Sequence, residues 1–211
     1  MKLTELVEPE YSKNDAPDFN YISGLIEDHC SIALQFFRQT KLSLYRGISS
    51  EKPFLQLAPP EDRGPLHSAS FLHDAAVSKL DKAGFTANRN NSFFCSGLKS
   101  QTIMYGSTFR VFPYNNFYYT WSPMIRDFMS DWDAPVPRDI RRIGQTVKWF
   151  TELPEKEFEK IYEYRAGNNR TLDDFEKAIK SGNEILIHSS CIMVSEKFYG
   201  NDLTNFLAKK Y

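Results

Sequence analysis

The chain has 211 residues with 26 basic and 27 acidic side chains, a formal net charge of -1. That length suits one domain, and 41% hydrophobic with 25% charged residues excludes a disordered chain. The near-zero charge argues against attachment to nucleic acid by bulk electrostatics, and no apolar run reaches membrane-spanning length.

Residues 1–17 are polar and read as an irregular arm. The segment Met1–Glu10 is charged and lacks the apolar stretch of a secretory signal, so a reducing cytoplasm is the expected location. Three widely spaced cysteines, Cys30, Cys95 and Cys191, form neither a disulfide framework nor a zinc knuckle. Ile22, Leu25, Ile26, Ile32, Ala33, Phe36 and Phe37 recur at helical spacing, predicting one or two helices from Asp18 to about Gln39. Leu42 to Arg46 reads as a short strand. Glu51 to Pro65 holds four prolines and reads as a loop. Ser68 to Lys82 is predicted helical, with Phe71, Leu72, Ala75, Ala76 and Leu80 inward and Gly84 as the stop.

Short aromatic or β-branched strands are expected at Ser92–Ser96, Thr108–Phe112 and Phe117–Trp121. A short helix, Leu98 to Tyr105, separates the first two. Pro123 opens a helix through Trp132. The next stretch reads as a strand at Thr146–Phe150 and a helix from Glu155 to Tyr162. Thr171 is the expected cap of a helix Leu172–Lys180, with Asp174 reaching back. Strands Glu184–His188 and Cys191–Ser195 follow across a tight Ser189-Ser190 turn, and Asn201–Tyr211 reads as a terminal helix. Helices first and short strands later suggest an α+β fold.

Three strand segments carry chemistry in a fixed order. Leu44-Tyr45-Arg46-Gly47 carries an arginine, Phe94-Cys95-Ser96 ends in a hydroxyl, and Glu184-Ile185-Leu186-Ile187 opens on a carboxylate. In this order, from Leu42 to Ser195, the chain resembles the Arg-Ser-Glu class of ADP-ribosyltransferases. In that family an aromatic-Arg-Gly strand precedes an aromatic-x-Ser strand and a Glu-led strand with a returning partner, here Cys191–Val194.

The resemblance implies a split antiparallel β-sandwich with flanking N-terminal helices, in one domain spanning residues 1–211. Residues 1–40 would be arm and helices, 41–200 the catalytic core, and 123–165 an insertion. It also implies NAD as substrate, no metal, and transfer of ADP-ribose to a macromolecular acceptor, protein rather than nucleic acid. Glu184 would stabilise the oxocarbenium-like state that forms when the nicotinamide–ribose bond breaks. Arg46 would hold the diphosphate through its planar fork. Ser96 would order the site, and Gly47 would admit the nicotinamide amide to the backbone. Tyr45 and Phe94 would flank the ligand, and Arg89, in the polar run Asn88–Ser92, would assist Arg46.

Two departures limit what is implied. Gly97-Leu98 replaces the family's Thr-Ser after the serine. Gly182 stands two residues before Glu184, where many members carry the Glu or Gln that serves the acceptor. Both fit a non-catalytic protein with a degenerate fold of this type; Gly182 also fits an NAD glycohydrolase. Other features read as structural. Tyr105, Phe109, Tyr118, Tyr119 and Trp121 are core rings, one of which could stack on a base. The basic spot Arg138, Arg141, Arg142 and Lys148 reads as a solvated face, as does the string Asp127, Asp131, Asp133. His67 and His73 lack the spacing of helical metal ligands.

Overall fold

The computed structural model describes residues 16–64, 70–133, 135 and 143–209. The chain is α+β, with two four-stranded antiparallel sheets. Helices α1 (Phe19–His29) and α2 (Ser31–Thr40) lead into β1 (Tyr45–Ile48) and β2 (Phe54–Leu57). Helix α3 (Ser70–Lys82) and β3 (Phe93–Cys95) follow. A helical turn α4 (Lys99–Thr102), running into a 3-10 turn at Ile103–Tyr105, precedes β4 (Ser107–Pro113) and β5 (Tyr118–Trp121). Then come α5 (Phe128–Asp131), α6 (Ile143–Glu152), α7 (Glu155–Tyr162) and β6 (Arg165–Asn168). The chain closes with α8 (Leu172–Ser181), β7 (Ile185–His188), β8 (Cys191–Ser195) and α9 (Glu196–Ala208). No described helix is long and apolar enough to cross a membrane.

The first sheet runs β1-β4-β8-β2 and the second β3-β7-β5-β6. The two meet where their edge strands touch: Tyr45 and Ser96 form an antiparallel bridge, with amide-to-carbonyl bonds of 2.8 and 2.9 Å. Strand alternation then sorts the second sheet's side chains between two cores. Phe93, Cys95, Ile185 and Ile187 join the main core with the first sheet and helices α1, α2, α8 and α9. Leu186 faces the other way, with Phe94 packed beside it, into a second core built by α3, α5, α6 and α7. Phe175 of α8 ties the main core together, packing on Phe36, Phe117 and Tyr119 at ring distances of 5.4, 5.2 and 5.0 Å.

Several expectations are corrected. The proline-rich segment contains β2, which pairs with β8 while Pro53 lends only its carbonyl, to the Ser195 amide. Thr146–Phe150 is helical, inside α6, because Thr146, Phe150 and Leu153 bury one helical face at spacings of four and three. Only Phe128–Asp131 of the Pro123–Trp132 segment forms a regular helix. The terminal helix starts at Glu196, earlier than expected, and is interrupted at Tyr199. Strand β6 was not foreseen. The first strand begins three residues and ends two residues later than read, at Tyr45–Ile48.

Phe71 is exposed, although Leu72, Ala76 and Leu80 face inward as expected. Thr171 makes no side-chain cap bond, and Asp174 instead accepts from Trp121 Nε1 at 2.9 Å. All three cysteines are free and buried. The N-terminal arm up to residue 15, His67, and Arg138, Arg141 and Arg142 lie outside the described residues.

Candidate active site

The three chemical segments converge on one cavity of about 800 Å³ at the seam between the sheets. Tyr45, Arg46, Gly47, Phe94, Ser96 and Glu184 line it, and Arg89 does as well. Arg46 reaches across the seam, its Nη1 donating to the Phe94 carbonyl at 2.9 Å. Its guanidinium lies 5.5 Å from the Phe93 ring, and burial lowers its pKa from the ordinary value. Gly47 is required by close packing, because a Cβ there would meet the Thr102 carbonyl oxygen at 2.1 Å.

Register explains the pairing of Ser96 with Glu184. Phe94 pairs with Leu186 and Cys95 with Ile185, so one more step sets Ser96 opposite Glu184. Ser96 Oγ donates to the Gly182 carbonyl at 2.8 Å and accepts from the Leu98 amide at 3.1 Å. It also lies 2.7 Å from the Gln101 side-chain amide. The contact is to Gln101 Oε1, so the one hydroxyl proton has two acceptors within reach, Gln101 and Gly182. Ser96 thus binds the loop that delivers Glu184, two residues before the carboxylate.

Glu184 is anchored at both ends. Its amide donates to the Arg126 carbonyl at 3.0 Å, and its Oε1 accepts from Arg89 Nη1 in an ion pair. The Arg89 guanidinium lies 4.5 Å from the Phe94 ring and 4.1 Å from the Phe128 ring. Arg89 leaves a turn in which Asn88 Oδ1 accepts the Asn90 amide at 2.9 Å.

The sequence did not single out Arg63. Its guanidinium lies 3.7 Å from the Phe94 ring, and its Nη1 donates to the Ser92 carbonyl at 3.4 Å. Burial, then the nearby Arg46 and Arg89 charges, pull its pKa down to about 10. Three guanidinium groups therefore crowd around Phe94 with Glu184 as the ion-paired carboxylate. Farther around the cavity, Arg126 is accompanied by Asp127 and Asp131.

Those two aspartates are not a solvated face. Asp127 accepts from Tyr105 Oη at 2.7 Å, and Asp131 accepts the amides of Arg126 and Asp127 at 2.8 and 2.9 Å. Burial, followed by Asp127, pushes the Tyr105 phenol up to about 12. Of the five candidate stacking rings, Tyr105 alone lines the cavity; Phe109, Tyr119 and Trp121 are buried in the core, and Tyr118 is exposed elsewhere. His73 also lines the cavity, its pKa lowered by burial and then by Arg89. Among the described residues no group of His, Cys, Asp or Glu is arranged to hold a metal ion.

Gly182 has its own structural reason. It caps α8 at φ +71°, and a Cβ would meet Leu98 Cδ1 at 2.3 Å. Protein-family models, curated proteins and solved structures were compared with the chain, and none matches it.

Proposed function

We propose that the chain is a mono-ADP-ribosyltransferase, with NAD held in the cavity at the seam of an ADP-ribosyltransferase-type split sandwich. The observation that carries this reading is the meeting of Arg46, Ser96 and Glu184, drawn from three distant segments, in one 800 Å³ cavity. That volume suits a small-molecule site, and the crowded guanidinium groups suit a diphosphate.

Breaking the nicotinamide–ribose bond leaves positive charge on the ribose while neutral nicotinamide departs. A fixed carboxylate at Glu184 lowers the energy of that state more than it helps ground-state binding. An acceptor nucleophile then attacks the ribose carbon and its proton passes to solvent. Arg46 and Arg63 hold the diphosphate, and Ser96 fixes the approach of the Glu184 strand.

Gly182 favours a second reading for the acceptor half. Where the family carries a Glu or Gln, the backbone here is left-handed and tightly packed, so water is the alternative acceptor and the enzyme an NAD glycohydrolase. Incubation with labelled NAD and a cell extract separates the two. Label transferred to macromolecules by the wild type and lost in Glu184→Gln supports transfer; nicotinamide release without transferred label supports hydrolysis. Binding of NAD without release identifies a non-catalytic relative and ends the enzyme reading.

A further inference from the structure

Arg89 is the most enclosed cation of the cavity, its side chain only 3% exposed against 15% for Glu184. It is flanked by Phe94 and Phe128, and its Nε has no hydrogen-bond partner among the described residues. Walled in by the two rings, it is less open to an anion in the cavity than Arg46 and Arg63, which are only half-buried. A buried charge is costly unless it is paired, and removing one partner leaves the other uncompensated. The partner here is Glu184 Oε1, while Glu184 Oε2 has no donor among the described residues.

The same carboxylate is held from the backbone side by one short segment. Asn183 Nδ2 donates to the Ser122 carbonyl at 2.8 Å, and the Glu184 amide to Arg126. Two residues on, Phe128 supplies the ring beneath Arg89 and is itself buried against Phe150 at 6.1 Å. Residues 122–128 therefore reach Glu184 twice, once through the main chain and once through the Phe128–Arg89 stack.

We infer that Arg89 is a positioning residue for Glu184, and that the Ser122–Phe128 segment is the frame on which it does so. This rests on the NAD-cleaving reading above for its catalytic consequence, but not for the ion pair. The frame holds one carboxylate oxygen so that the other stays directed to the ribose. The second core, built largely from segments absent from the family motif, thereby supports the reacting end of the site.

Two measurements test this. The first is a stability cycle in urea with Arg89→Met, Glu184→Gln and the double variant, which needs no turnover. If the pair is coupled, removing Glu184 in the Arg89→Met background costs about tenfold less in the unfolding constant than in the wild type; additive losses overturn the inference. The second is steady-state nicotinamide release. Arg89→Met is expected to lower kcat by roughly a hundredfold with KM for NAD within about threefold, and Arg89→Lys to recover part of kcat. A raised KM at unchanged kcat would make Arg89 a phosphate ligand and overturn the inference, as would no recovery by Arg89→Lys. If the wild type releases no nicotinamide, the NAD-cleaving reading fails and the stability cycle alone decides the pair.

Discussion

At Gly182 a single backbone angle decides what the site can contain. A non-glycine residue at φ +71° carries a left-handed penalty of about 1–2 kcal/mol. The clash with Leu98 adds to this, although Leu98 is partly exposed and can swing aside. Gly182→Gln is therefore expected to destabilise the fold by at least about 1 kcal/mol, with Gly182→Asn milder because asparagine tolerates this conformation. Urea unfolding measures both, and a Gln variant as stable as the wild type would contradict the argument. The candidate residues Arg46, Ser96 and Glu184 were legible as short motifs at or beside strands. Arg63, Gln101 and Asp127 were not, since each reaches the cavity from a loop or a single helical turn with no periodic pattern to mark it.

At the scale of elements, α8 carries more than its own length. It ends in the Gly182 cap that sets up Glu184, and Phe175 fastens it to α2, to β5 and to Phe117 just before β5 through three ring contacts. Phe175→Ala is expected to cost about 3–5 kcal/mol, the range for deleting a fully buried ring. Thermal denaturation tests this, and a loss below 1 kcal/mol, roughly the worth of one exposed contact, would mean α8 is held elsewhere.

The helix was readable because its apolar residues fall on one face. The misreadings have equally local causes. Thr146 and Val147 are β-branched and Trp149 and Phe150 aromatic, which mimics a strand, yet burial follows helical spacing into Leu153. Strand β6, Arg165-Ala166-Gly167-Asn168, has no strand-like composition. It is an edge strand formed by pairing with β5 on one side, so nothing forces an alternating pattern on it. β2 was hidden among prolines for the same reason, because an edge position tolerates a flanking Pro53.

Across the whole molecule, burial of weakly acidic groups sets the alkaline limit of stability. Burial pushes the Cys30 and Cys95 thiols up to about 12 from an ordinary 9.0, and the Tyr119 phenol to about 12 from 10.0. A folded value above the unfolded one means the folded state keeps a proton that the unfolded chain releases. The associated stability is fully present below pH 9 and is lost as pH rises from about 9 toward 12. Arg63, lowered to about 10 by burial first, works in the opposite direction, but only above that pH. Urea unfolding under reducing conditions at pH 8, 9 and 10 should therefore show stability declining from pH 9; a flat or rising curve would contradict the buried placement of these groups. The α+β class was legible from the order of helices and strands. The division into two sheets was expected only through the family resemblance; composition and periodicity do not carry it, because it depends on which edges meet.

That seam carries the central claim, that Glu184 stabilises a ribosyl cation formed from NAD. The most direct measurement is nicotinamide release by the purified protein and by Glu184→Gln, with NAD affinity followed by calorimetry. The prediction is a fall in release of roughly 10²–10³-fold in the variant, the range for removing one preorganised electrostatic partner, at nearly unchanged affinity. Equal release by both proteins, or no NAD binding by the wild type, would contradict it.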